Sequence, residues 1–249
     1  MSPLELFILF LAGFGAGFID SVAGGGGIIT LPTLLAVGIP PHFAIATNKL
    51  QSSFGSFTAT LNYTKRGLLS PSKILRGIFF TFIGATVGAI AIQFVFSGFL
   101  INFTIVMLIF LFFFMLFNKK LGHEKVAHKI KPSIFYTVFG LLIGFYDGFF
   151  GPGTGSFWTI ALVSLLGLHL KEATAETKAF NFTSNIVSLI VFIFSGLVLW
   201  KVGFLMGIGQ IAGAYMGSTM VSKRDVTFIR YIFLFVVAAT ILKLIYDKW

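Results

Sequence analysis

The sequence predicts an all-α integral membrane protein made of two inverted-topology repeats. Each repeat has five hydrophobic segments, and its helices are broken or re-entrant at glycine motifs. Three observations predict this. First, 57% of the 249 residues are hydrophobic, only 10% are charged and 33 are Phe. That much apolar surface requires lipid as its solvent. Second, the chain matches itself at a nearly constant offset. Third, its basic residues fall mainly on one side of the segments.

Apolar segments lie near residues 4–22, 26–38, 44–64, 74–95 and 98–117, then 133–149, 153–168, 173–195, 202–221 and 226–246. They lack the ten-residue alternating strands of an outer-membrane barrel. The opening MSPLELFILF has no basic stretch of a cleaved leader, so the first segment is expected to remain. The second segment of each set is short for a span of about 20 residues. Eight spans plus two hairpins, or ten spans, therefore fit equally.

Gly17-Phe18-Ile19-Asp20 matches Gly144-Phe145-Tyr146-Asp147 at an offset of 127. Beyond the glycine motifs the offset becomes 129. There Gly38 matches Gly167, Lys49 matches Lys178, and GATVG (84–88) matches GAYMG (213–217). The expected repeats are 1–125 and 126–249, one integrated membrane domain. Five segments per repeat put the second in the membrane upside down. Of 18 Lys and Arg, alternating segments place 13 on one side, in residues 65–76, 118–131, 168–172 and 222–230. Lys201, Lys243 and Lys248 fall on the other side. Basic loops mark the cytoplasm, so both termini are expected outside the cell membrane in a multi-pass arrangement. The spacing of Gly84/Gly88 and Gly213/Gly217 predicts close helix packing.

Lys49 and Lys178 remain within segments. On a helix, Lys49, Ser52 and Ser56 share one face, as do Lys178, Asn181 and Asn185. Burying a lysine is expensive in a membrane. Snorkelling to water is one reading. The other is an anion site, with both ammonium groups converging on the ligand. Thr47, Asn48, Thr177 and the striped Ser and Asn side chains would then donate hydrogen bonds.

Asp20 and Asp147 precede AGGGG (23–27) and GPGTG (151–155). Such runs permit sharp turns, and Pro152 cannot continue a regular helix. They read as tight surface turns or as breaks inside the membrane. Irregular backbone at that depth must lie in protein or beside a cavity. A helix restarting there would aim free N–H groups from Gly25, Gly26, Gly27, Gly153, Thr154 and Gly155 at an anion. The aspartates read as helix caps or as groups for proton coupling or gating. Glu176 stands where the first repeat has Thr47, and reads as a proton carrier or a partner of Lys178 or Lys171. Inverted repeats, broken helices and a site between them are secondary-transporter architecture.

Several classes are excluded or unsupported. No cysteine exists, and His42, His123, His128 and His169 are scattered, so no metal site or cofactor is expected. No nucleophile motif supports an enzyme, and the glycine runs lack the lysine-serine ending of a nucleotide-phosphate loop. The +10 charge is explained by the loops and does not require nucleic acid. The expected partners are a small anion and the lipid bilayer. Proton or sodium coupling and an oligomer are left open.

GFIDSVAGGGG followed by ATNKLQSS, and GFYDGFFGPGTGSF followed by AETKAFNFTSN, resemble the sulfite exporter TauE/SafE family across essentially the whole chain. The resemblance implies a membrane transporter for sulfur-containing anions such as sulfite, sulfonates or sulfoacetate. It also implies about eight spans. The expected function is secondary transport of a sulfur-containing oxyanion or organosulfonate by alternating access. An anion channel lined by the same polar helices is the alternative.

Overall fold

A computed structural model describes residues 1–96, 98, 99, 106 and 130–221. Nearly all of the segment expected at 98–117, the basic stretches 118–129 and 222–230, and the last segment (226–246) lie outside the described residues. Among the described residues there are eight α-helices and no strand. They are α1 (Pro3–Ala23), α2 (Gly27–Ala36), α3 (Pro41–Lys65), α4 (Leu75–Ala91), α5 (Pro132–Phe149), α6 (Thr154–Leu166), α7 (Leu170–Phe194) and α8 (Trp200–Val221). Single 3-10 turns precede and follow α4. By length and composition, Pro3–Ala23, Leu75–Phe94, Pro132–Phe149 and Leu170–Phe194 can each cross a membrane.

Local chemistry sets the helix ends. Ser2 and Glu5 form a capping box at the start of α1, with Pro3 in its first turn. Pro41 and Pro132 open α3 and α5, where a missing N–H costs no hydrogen bond. Gly167 ends α6 in the left-handed conformation.

Packing follows the small residues. α1 lies along α8, and α5 lies along α4. A Cβ on Gly17 would sit 2.8 Å from the Cα of Gln210, and one on Gly144 would sit 2.9 Å from the Cα of Thr81. These two contacts join positions that match in the sequence. Gly84 and Gly213 meet the backbones of Leu141 and Phe14 in the same way. The GxxxG spacing therefore lets helix backbones touch, as expected.

Two apolar clusters form the core. One joins Val22, Tyr63, Phe135, Trp158 and Phe180; the other joins Leu9, Leu31, Ile45, Phe150 and Phe192. α3 enters at the second cluster and leaves at the first, whereas α7 enters at the first and leaves at the second. α1 and α5 differ in direction in the same sense. Polar residues of α3 and α7 lie between the clusters.

Candidate functional site

The polar layer is built on two helix breaks. α1 stops at Ala23, Gly24 and Gly25 take φ of 79° and 104°, and α2 restarts at Gly27. α5 stops at Phe149, Gly151 and Gly153 take φ of 98° and 83°, and α6 restarts at Thr154. These positive values are the physical reason for glycine there. The breaks pack on each other: a Cβ on Gly24 would lie 2.6 Å from the Ser156 nitrogen. Gly24, Gly25, Gly26 and residues 152–156 are buried, so the motifs are not surface turns.

Both lysines are fully buried. The snorkelling reading is thereby corrected, because neither ammonium reaches water. Lys49 Nζ donates to Asp147 Oδ1 at 2.6 Å and also to the Asp147 carbonyl. Lys178 Nζ donates to Asp20 Oδ2 at 3.0 Å and also to the Asp20 carbonyl. Each lysine thus reaches the aspartate matching the one in its own half of the sequence, and the two pairs cross. Each ammonium is held by an aspartate of the other half. Each holds the last turn of a broken helix through its carboxylate and its carbonyl together. Two cations and two carboxylates balance. That balance meets the requirement for burying charge, since a lone buried ion is far costlier than a paired one.

The aspartates differ in their other partners. Asp20 Oδ1 accepts the N–H groups of Gly25 and Gly26 at 3.0 and 3.2 Å. It closes the break as a cap, so those two N–H groups point at the chain's own carboxylate. Asp147 Oδ2 instead accepts the hydroxyl of Ser184.

A polar cavity of about 20 Å³ lies against both breaks, roughly the room needed by one water. Asp20, Gly25, Gly27, Asn48, Ser52, Asp147, Gly151, Thr154, Gly155, Asn181 and Asn185 line it. Asn181 is buried there, and among the described residues its Oδ1 has no hydrogen-bond donor.

The other expected site residues do not line this cavity. Ser56 accepts from Asn185 at 3.5 Å and donates to the Ser52 carbonyl. Thr47 faces away and accepts the Leu199 N–H at 3.1 Å. Thr177 pairs with Thr159, just as Asn48 pairs with Thr30 at the matching positions. Gly26 and Gly153 shape the breaks without lining the cavity. Glu176 accepts from the Tyr136 hydroxyl at 2.9 Å, while Lys178 takes Asp20 in its place. Among the described residues no group of His, Cys, Asp and Glu could hold a metal ion.

Residue patterns missed Ser184, Gly151 and a hydrogen-bonded chain from Gln210 through Gln51 to Asn48, with links of 2.5 and 2.7 Å. Gln51 and Gln210 were visible as uncharged polar residues within apolar segments. Ser184 carried no such signal, since Ser is common in helices of this kind. The crossed pairing was signalled in part, because two buried cations need two anions beside them.

The family model for Sulfite exporter TauE/SafE matches residues 9–244. Probable membrane transporter protein YfcA of Escherichia coli (strain K12) is 42% identical over 248 residues, covering 100% of this chain and 92% of the relative. A Probable membrane transporter protein of Haemophilus influenzae (strain ATCC 51907 / DSM 11121 / KW20 / Rd) is 40% identical over 247 residues, covering 98% and 95%. Probable membrane transporter protein ORF9 of Sinorhizobium sp is 42% identical over 242 residues, covering 97% and 93%. No solved structure matches the chain. The chain belongs to the sulfite exporter TauE/SafE family.

Proposed function

We propose that the protein is a secondary transporter moving a small anion, a sulfur-containing oxyanion or organosulfonate, across the bacterial cell membrane by alternating access. The observation that carries this reading is the pair of crossed ion pairs, the buried Lys49–Asp147 and the part-buried Lys178–Asp20, at two helix breaks packed on one another. A broken helix held by a buried charge pair can reopen when a ligand competes for the charge. The relatives named as membrane transporters support transport, and the family's description supports a sulfur anion.

In this reading the halves 1–125 and 126–249 cross the bilayer in opposite senses, with both termini outside. The opposite directions of α3 and α7 between the two apolar clusters support that arrangement. A 20 Å³ cavity does not admit an oxyanion, so the breaks must separate for one to enter. A continuous pore has no observation in its favour among the described residues.

The test is counterflow of labelled sulfite into proteoliposomes. Wild-type protein should exchange sulfite saturably, and Lys49→Ala and Lys178→Ala should each abolish exchange. Wild-type rates in both variants would remove the site, and single-channel currents under voltage would replace alternating access with a channel.

A further inference from the structure

Resting on the transport reading, we infer that Asp147 is the proton site of this protein. Its protonation releases Lys49 to the anion, so one proton travels with the substrate.

Charge balance gives the first reason. Lys49, Lys178, Asp20 and Asp147 sum to zero, with all but the part-buried Asp20 buried. An anion entering alone would leave uncompensated negative charge there, which a low-dielectric interior opposes. Neutralising one carboxylate frees one ammonium and restores the balance.

Hydrogen bonding selects Asp147 over Asp20. A proton on Asp147 Oδ2 has an acceptor waiting, the Ser184 Oγ that already touches it. A hydroxyl both donates and accepts. Ser184 can turn its own hydrogen to the Phe180 carbonyl, 3.1 Å away, so neither group is orphaned. The proton moves from water to Oδ2, and the Lys49 ammonium keeps all its protons. Asp20 has no such arrangement. Its Oδ1 is committed to two backbone N–H groups, and its Oδ2 faces the Lys178 ammonium. At the position matching Ser184 the first half has Gly55, which carries no hydroxyl.

The surrounding ionisable groups are accounted for among the described residues. From α3, Lys49 faces Asp147. α7 brings Lys178, bound to Asp20, and Glu176, bound to Tyr136, with Lys171 and Glu172 in its first turn. α4 brings Arg76, which donates to Thr137 at the far end of α5, and α6 brings no ionisable residue. Tyr146 of α5 itself donates to the Pro152 carbonyl.

The experiment uses the full chain in proteoliposomes. Sulfite is one probe and ethanesulfonate, whose charge does not change with pH, is the other. Wild-type protein should accumulate the transported probe about tenfold for an inward acid gradient of about one pH unit, the value for one coupled proton. Asp147→Asn should lose the accumulation, and Asp147→Glu should retain it in part. Ser184→Ala should shift the pH of half-maximal uptake, whereas a merely structural residue would lower the rate at every pH. Infrared difference spectra on adding the probe should show a protonated carboxyl band in wild type that is lost in Asp147→Asn.

Intact gradient response in Asp147→Asn overturns the assignment. So does wild-type accumulation driven by sodium and not by protons. Wild-type protein that exchanges neither probe overturns the transport reading itself, which separates the two failures.

Discussion

The Lys49 ammonium lies 2.6 Å from Asp147 Oδ1, 98 positions away in the chain, and both side chains are buried. Removing either partner strands a charge in the core. Lys49→Ala should therefore destabilise the protein by roughly 3–5 kcal/mol. Asp147→Ala should cost a similar amount, and the double variant should cost much less than the sum. Thermal unfolding of the four purified proteins in detergent checks this, and simple additivity would mean that the pair is not coupled.

Gly24 and Gly38 both take a positive φ, at 79° and 82°, but only Gly24 has neighbours where a Cβ would go. Gly38→Ala should cost only the left-handed strain, about 1–2 kcal/mol. Gly24→Ala adds a collision with Ser156 and Gly155 and should disrupt the packed breaks. The comparison is read by yield of folded protein and melting temperature; equal losses would show that the contact between breaks contributes little.

Gly15 and Gly17 sit two positions apart on α1 and should respond oppositely. A Cβ at Gly15 meets nothing within 4 Å, so Gly15→Ala should be neutral or stabilising by up to about 1 kcal/mol. Gly17→Ala must push α8 away and should lower the melting temperature markedly. A tolerated Gly17→Ala would argue against tight α1–α8 contact.

Orientation can be read directly because the chain has no cysteine. Ser70 and Ser195 are exposed beside loops expected on opposite sides of the membrane. A membrane-impermeant maleimide should label Ser195→Cys on intact cells and Ser70→Cys only after permeabilisation. Labelling of both from one side would end the inverted arrangement.

Much of the fold was legible in the sequence. The two breaks follow from glycine and Pro152, whose backbone preferences are local. The short α2 and α6 follow from the lengths of the apolar runs, and the close helix pairs follow from GxxxG spacing. The polar faces of α3 and α7 follow from helical periodicity: Ser52, Asn181 and Asn185 do line the cavity. Thr47 and Thr177 do not, because adjacent helix positions point about 100° apart and only packing decides which direction meets the cavity.

Sequence alone determined that lipid surrounds this chain, that its helices break at two glycine motifs and that two lysines lie within apolar segments. Composition, spacing and local backbone chemistry are enough for that. Only the tertiary structure decided that Lys49 takes Asp147 and Lys178 takes Asp20. It alone decided that Asp20 closes its own break and that Ser184 reaches the other carboxylate. Those choices depend on which helix ends are brought within 3 Å across the layer, a distance set by the packing of glycine-lined helices far apart in the chain.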